Sequence, residues 1–378
     1  EARVLGKRFY VVVNIAPHNA KLKTFLDDLQ PVIDMAPDAL IMSDPGLIML
    51  VRGRYPQMPI HLSVQANAVN WASVAFWQGQ GLERVILSRE LSLGEIEEIR
   101  TQVPDMELEV FVHGALCMAY SGRCLLSGYL NHRDPNQGAC TNTCRWQYDV
   151  KAANENELGE IVGVVEPTLG IGAPSEQVFV LEDGEQQMPV FEDEHGTYIM
   201  NSRDLRAVQH VERLVRIGVH SLKIEGRTKS HYYCARTAQV YRQAIDDALA
   251  GRPFDRGLMA NLESLAHRGY TEGFLRRHVH DEYQNYGHGS SLSDRQQFVG
   301  ELTGERRGEL AEVRVKNRFA VGDGMELMTP KGNLRFTLAH MENRAGESTG
   351  VAPGDGHVMY LPLPAEVDLR FALLMRDL

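Results

Sequence analysis

The sequence predicts a parallel α/β fold, a (β/α)8 barrel whose first two βα units are absent from the chain, followed by a small C-terminal β-barrel. Three observations predict it. Short apolar strands recur roughly every 20 to 30 residues with helix-forming segments between them, the rhythm of βα units. Six of those strands end in polar or charged residues, where parallel folds gather their ligand-binding groups. From Phe298 onward the pattern changes to short β runs separated by Gly and Asp turns. A doubly wound open sheet could stop at six strands, whereas a barrel needs eight. The opening Glu1-Ala-Arg-Val-Leu-Gly6 reads as the last turn of a helix stopped by Gly6, so two earlier units are expected to be missing.

The elements follow in order. The first strand is Arg8 to Val13, ending in Asn14, and a helical stretch from about Ala20 to Met35 leads to a second strand, Ala39 to Met42. Asp44-Pro45 caps the next helix, with proline suited to the first helical position. The third strand, Ile60 to Val64, ends in Gln65-Ala66-Asn67, and a Trp- and Phe-rich helix follows. The fourth, Arg84 to Leu87, ends in Ser88-Arg89-Glu90. Ser92 with Glu95 is a capping box opening a helix to about Gln102. The fifth, Leu108 to Val112, breaks at His113-Gly114. A poorly patterned, acidic stretch from Lys151 to Glu194 looks like an excursion. The rhythm resumes with a helix from Arg203 to Ile217 stopped by Gly218, a sixth strand from Ser221 to Ile224, and a long amphipathic helix from about His231 to Leu249. The expected organisation is a barrel over residues 1–255 with a cysteine-rich insertion at about 114–195, a connecting segment 256–297 and a β-barrel domain 298–378.

Composition bounds the function. The chain has 378 residues, 43% hydrophobic and 24% charged, with a formal charge of −11, which suits an ordinary globular protein. No apolar run approaches membrane-span length and no secretory signal opens the sequence, so a cytoplasmic compartment is expected. The overall charge argues against a protein coated in nucleic-acid-binding cations, but potential is local. Asn201 to Arg242 carries nine Lys or Arg against three acids. Arg268 and Tyr270, with Arg276 and Arg277, add basic and aromatic groups suited to phosphate contact and base stacking.

Any single polar strand end is by default a turn residue or a helix cap. Six in succession point to a site. Asn14, Gln65 and Asn67 are candidate substrate contacts, and Arg89, Lys223 and Arg227 suit recognition of carboxylate or phosphate. Glu90, His113 and Glu225 are candidates for proton transfer. Four of the five cysteines, Cys117, Cys124, Cys140 and Cys144, fall within 28 residues in the spacing C-x6-C-x15-C-x3-C. Thiols at this density in a chain without export signals are metal-binding or catalytic more often than disulfide-bonded. Structural zinc sites bring cysteines in tighter pairs, and iron–sulfur clusters tolerate more varied spacing, so both metals and a reduced structural set stand open here. Cys234, in the long helix, reads as a packed thiol and a substitute fourth ligand.

The stretch FVHGALCMAYSGRCLLS resembles the signature of the collagenase-like, or U-type, peptidase family, and SVQANAVN, LSREL and SLKIEGR resemble its other strand-end motifs in the same order. The resemblance covers essentially the whole chain. It implies a TIM-type (β/α)8 barrel with a C-terminal β-barrel. The nearest likeness is to members that hydroxylate the wobble uridine of tRNA to 5-hydroxyuridine, which implies tRNA as partner and prephenate as an anionic co-substrate. Relatives in this family carry a 4Fe–4S cluster on cysteines of this region, which implies that cofactor on Cys117, Cys124, Cys140 and Cys144, with zinc as the alternative. Electron-donor or iron–sulfur assembly proteins would then be further partners. In some relatives a cysteine follows the Asp-Leu pair at the place of Arg206, so here Cys144 or Cys234 must supply the fourth thiolate. The family's opening strand motif, rich in Leu, Pro, Ala and Gly, has no counterpart in this chain, in line with the two missing units.

The competing functions fare worse. A zinc peptidase would be expected to show H-E-x-x-H, which does not occur, and the G-x-S-x-G match Gly346-Glu-Ser-Thr-Gly350 lies among the short C-terminal β runs, where no helix pattern follows to make a nucleophile elbow. A thiol peptidase using Cys117 with His113 would place its nucleophile among three other cysteines. A non-catalytic RNA-binding protein with a structural metal leaves the charged strand ends unexplained. An RNA-modifying oxidoreductase is the expectation.

Overall fold

The computed structural model describes residues 2–116, strands between 149 and 197, and residues 203–227, 229–265, 269–276 and 296–378. They fall into two compact units. The first comprises Glu1–Arg206, Ile217–Lys223 and Arg268–Ser290, the second Ala207–Arg216, Ile224–His267 and Ser291–Leu378.

The first unit opens with a single 3-10 turn, Arg3–Leu5, closed by Gly6 at φ 64 in the left-handed region that glycine adopts without a Cβ clash. Then come β1 (Tyr10–Val13), α1 (Asn19–Leu22), α2 (Phe25–Asp34), β2 (Ala39–Met42), α3 (Pro45–Arg54), β3 (Ile60–Leu62), α4 (Trp71–Gly79), β4 (Arg84–Ile86), α5 (Leu93–Gln102) and β5 (Glu107–Ala115). The caps follow the sequence. Asp44 Oδ1 accepts from Leu47 N at 2.8 Å, and Ser92 with Glu95 forms the full capping box. The helix expected from Ala20 to Met35 is two helices, parted at Lys23-Thr24.

β1 to β5 pair in chain order, all parallel. β2, β3 and β4 are buried throughout, as parallel strands covered on both faces must be. β1 lies at the end of the sheet order, and its Val12 is 56% exposed.

Beyond β5 the chain departs from the expected βα rhythm. β5 does not break at His113-Gly114 but continues to Ala115, because β11 (Asp204–Arg206) pairs antiparallel with residues 113 to 115. The helix expected from Arg203 to Ile217 is therefore a strand, a 3-10 turn at Val208–His210 and a shorter helix, α6 (Val211–Ile217). β12 (Ser221–Ile224) also pairs β5, and β13 (Tyr270–Thr271) pairs β11 in parallel. The sheet is thus mixed and has eight strands, and among the described residues it is not a closed barrel. Between β5 and β11, where an excursion is expected, β6 (Asp149–Glu155), β7 (Ile161–Gly163), β8 (Val178–Asp183), β9 (Gln186–Asp193) and β10 (Gly196–Thr197) form a separate antiparallel sheet.

In the second unit, α7 (His231–Leu249) is capped by Ser230, whose Oγ accepts from Tyr233 N at 3.2 Å. It packs with α8 (Gly257–Glu263). The remaining strands are β14 (Gln296–Arg307), β15 (Leu310–Val315), β16 (Phe319–Ala320), β17 (Gly324–Thr329), β18 (Gly332–Thr337), β19 (Glu342–Asn343), β20 (Val351–Ala352), β21 (Val358–Pro362) and β22 (Leu373–Asp377). Seven of them form an antiparallel sheet in the order β18-β17-β22-β14-β15-β21-β19. Its core holds Val299, Val313, Phe319, Leu327, Leu361 and Leu374. The interior strand β22 is absent from the sequence reading, since LLMRD is a short run without polar–apolar alternation. α7 meets the strands within this unit: Tyr232 stacks on Phe298 at 5.5 Å, and Arg236 Nη2 donates to Glu326 Oε1 at 2.5 Å with both side chains almost fully buried. Among the described residues no helix is long and apolar enough to cross a membrane.

Candidate active site on the sheet face

Alternation along β5 sends Glu107, Glu109, Phe111 and His113 to one face, while Leu108, Val110 and Val112 go to the other. The neighbouring strands add Tyr10, His61 and Arg84 around the first group. The lower tier is a chain of alternating charge. Arg84 donates from Nε and Nη2 to Glu107 Oε2 at 2.9 and 2.7 Å and from Nη1 to Glu109 Oε2 at 3.2 Å. Lys223 Nζ, from β12, donates to Glu109 Oε1 at 2.8 Å. Two acids and two bases neutralise one another, the condition under which charges can be buried.

The titration behaviour follows from that balance. Burial alone would raise the Glu109 carboxyl, but the Lys223 ammonium and the Arg84 guanidinium outweigh it and hold the carboxyl below its ordinary value. Glu107 is likewise held low, the hydrogen bond from Arg84 overcoming its burial. His61 goes the other way. Burial, helped by the nearby Arg84 charge, pushes its imidazolium down from 6.5 to about 4, so at neutral pH the ring is uncharged.

Above this tier stand cations on rings. The Arg89 guanidinium carbon lies 3.8 Å from the Phe111 ring centroid, and Lys223 Nζ lies 5.6 Å from the same centroid. Arg206 lies 4.8 Å over the ring of Tyr270, whose centroid is 5.4 Å from that of His113. His113 is fully buried and Phe111 is 6% exposed.

The structure therefore brings together Arg89, His113 and Lys223 with Tyr270, which sits in the sheet through β13. Glu90 accepts the Ser88 hydroxyl beside them. Asn14 and Gln65 meet at Ser43, whose Oγ lies 3.4 Å from the Asn14 carbonyl and 3.4 Å from Gln65 Oε1. Asn67 closes the turn after β3 with φ 50, a backbone role for that side-chain type. Glu225 and Arg227 belong to the second unit, where Arg227 is exposed. Arg276 is ion-paired with Glu272 one helical turn away. Cys117, Cys124, Cys140, Cys144, Arg268 and Arg277 lie outside the described residues. Among the described residues no group of three or more His, Cys, Asp or Glu is placed to hold a metal. Cys234 is on the exposed side of α7, with its Sγ against Gly226.

Sequence reading missed Arg84, Glu107, Glu109, Phe111 and Arg206. A signal was present. In E-L-E-V-F-V-H, residues 107–113, the two acids, the phenylalanine and the histidine share one parity of a strand, which assigns them to one face.

Residues 1–285 match the model of Peptidase family U32, and residues 294–376 match the Peptidase family U32 C-terminal domain. The chain is 71% identical over 388 residues to tRNA hydroxylation protein P of Escherichia coli (strain K12), covering 100% of this chain and 86% of that one. It is 66% identical over 393 residues to the protein of the same name from Haemophilus influenzae, covering 100% and 85%. The 23S rRNA 5-hydroxycytidine C2501 synthase of Escherichia coli is 26% identical over 363 residues, 93% of this chain and 48% of that one.

Proposed function

The chain belongs to peptidase family U32, and from that membership we propose that it is a tRNA-modifying hydroxylase that converts wobble uridine to 5-hydroxyuridine. The observation that carries this reading is the 71% identity, over all of this chain, with a protein named for tRNA hydroxylation. The rRNA 5-hydroxycytidine synthase among its relatives supports hydroxylation at C5 of a pyrimidine as the common chemistry.

The chemistry asks for specific groups. Replacing C5–H of uracil by C5–OH removes a proton and two electrons from the ring and requires an oxygen donor. Arg89 and Lys223 are suited to hold an anionic co-substrate, for which prephenate is our proposal. Buried His113 and the neighbouring Glu90 are suited to take the C5 proton. We propose that Cys117, Cys124, Cys140 and Cys144 hold a 4Fe–4S cluster, since four thiolates are what such a cluster needs. Bound there, it would supply electron transfer to the oxidation. Arg268, Arg276 and Arg277, with the cations between Arg203 and Arg242, are proposed to contact tRNA phosphates. We further propose that the sheet is part of a TIM-type barrel, which the parallel run β1 to β5 supports, and that the protein works in the cytoplasm.

The test is mass spectrometry of tRNA nucleosides from cells lacking the native gene and complemented with this chain or its variants. The wild-type chain restores 5-hydroxyuridine and Arg89→Ala does not. Unchanged 5-hydroxyuridine in the Arg89 and Cys117 variants would refute the enzyme reading. Peptide cleavage that depends on Cys117 would put a peptidase in its place.

A further inference from the structure

Trp71 is 45% exposed, and it stands where the chain leaves the candidate site after β3. We propose that Trp71 is a stacking platform for one unpaired base of the substrate RNA, held at the entrance to the sheet face beside the nucleotide to be modified. The inference rests on the reading that this sheet face is the active site and tRNA its substrate.

Three tethers place it. Val64 packs on the interior cluster that holds Ile41, Ile86 and Phe111, so the segment after β3 begins inside the sheet face. Asn67 then turns the backbone at φ 50, and the carbonyl of buried Ala68 accepts from Ser88 N at 3.3 Å. Ser88 opens the strand end that carries Arg89 and Glu90. Trp71 comes three residues after Ala68, no farther from it than about 11 Å of extended chain. Lastly, Asn70 caps α4, its Oδ1 accepting from Ser73 N at 2.9 Å, so Trp71 is the first residue of a capped helix. A large ring on a fixed backbone loses little freedom when a flat ligand covers it.

The surroundings select the ligand. Residues 62–82 carry no charged side chain, so this segment does not repel a phosphate backbone. Among the described residues no ring stacks on Trp71, whereas Trp77 packs edge-on with Phe76 at 5.2 Å. Phe76 is the other large exposed ring of α4, at 57%. Five helical residues put it roughly 140° around the axis from Trp71 and about 7.5 Å along it, so the two do not form one patch. A protein partner would need a wider apolar surface than a single ring. One isolated ring at the entrance of a site fits a single flat ligand instead. Proteins that recognise RNA loops splay bases out and stack them on aromatic side chains. A base beside the target can be held that way whatever its identity, since every base has a π-face.

The experiment titrates the full chain with an unmodified anticodon stem–loop RNA carrying uridine at the wobble position, and in a parallel arm with a duplex RNA of equal length. With Trp77→Phe and Trp146→Phe, Trp71 is the sole tryptophan. Its fluorescence is expected to be quenched by the stem–loop and not by the duplex, whose bases stay stacked on one another. In the otherwise natural chain Trp71→Leu weakens stem–loop binding about 5- to 150-fold, the range for one base stacked on an aromatic side chain. Trp71→Tyr, which keeps a π-face, recovers most of the affinity, and Phe76→Leu leaves binding unchanged. Melting curves identify any folding defect. Should Trp71→Leu not fold, the quenching decides, and should the sole-tryptophan chain not fold, the Trp71 series does. Unchanged binding by folded Trp71→Leu overturns the proposal, as does equal quenching by the duplex or no binding of the stem–loop at all. Equal losses in Trp71→Leu and Phe76→Leu overturn it in favour of an extended apolar contact along α4. Trp71-dependent stem–loop binding in a chain that restores no 5-hydroxyuridine refutes the reaction and leaves the platform standing.

Discussion

Lys223 Nζ sits 2.8 Å from Glu109 Oε1, and the same carboxylate takes Arg84 Nη1 at 3.2 Å. One nearly buried acid thus serves two bases from two different strands. Removing it leaves both cations facing a low-dielectric interior. Glu109→Ala is expected to destabilise the chain by about 3 to 5 kcal/mol, whereas Glu109→Gln, which keeps an acceptor, costs less. Chemical denaturation of the two variants checks the order, and equal stability of both with the wild type would dissociate Lys223 from this tier.

The two suppressed histidines make a pH prediction. His61 has a folded pKa of about 4 against an ordinary 6.5, so between those values the unfolded chain binds the extra proton. Stability is full above about 6.5 and falls as the pH drops toward 4. After allowance for solvent screening the loss is about 1 to 2 kcal/mol. His220, lowered by burial and by Arg100, adds in the same direction. His61→Phe should flatten the stability profile between pH 6.5 and 4.5. Glu109, held below 4.5, begins to contribute its own loss only at lower pH.

The Arg236–Glu326 pair makes a contrast within the second unit. Glu326 also accepts from Gln296 at 3.0 Å, Asn333 at 2.7 Å and Arg335 at 3.1 Å. Arg236→Ala is expected to cost about 3 to 5 kcal/mol, because it strands a buried carboxylate. Arg335→Ala, whose side chain is 70% exposed, is expected to cost under about 1 kcal/mol. Thermal melts of the two variants decide it.

For the metal, anaerobically purified protein is expected to show a brown absorbance with stoichiometric iron and sulfide. Serine at Cys117, Cys124, Cys140 or Cys144 should abolish it, and Cys234→Ser should leave it. Bleaching by Cys234→Ser but not by Cys144→Ser would move the fourth ligand. Zinc without sulfide would defeat the cluster.

tRNA affinity should separate from chemistry. Arg89→Ala is expected to stop modification with tRNA binding nearly intact. Replacing Arg276 and Arg277 should lower the salt slope of tRNA binding by roughly one unit per lost phosphate contact. Arg276→Ala alone should do less, since its guanidinium is already paired with Glu272. Equal loss of tRNA binding in Arg89→Ala would remove the distinction.

By itself the sequence determined what is local. β2, α5, β12 and the long helix α7 fall where periodicity and caps place them, because Asp44, Ser92 and the apolar spacing act over a few residues. The polar strand ends around Arg89, His113 and Lys223 were legible for the same reason. Only the tertiary structure decided what lies opposite them. The antiparallel β11 extends β5 past His113 and turns an expected helix start into a strand, since cross-strand hydrogen bonds come from residues some 90 positions away and leave no local period. The same pairing sets Arg206 beside His113, and β12 sets Lys223 on Glu109, 114 residues distant. Charges so far apart in sequence become partners only when the sheet supplies the register, and burial then fixes which of them stay ionised.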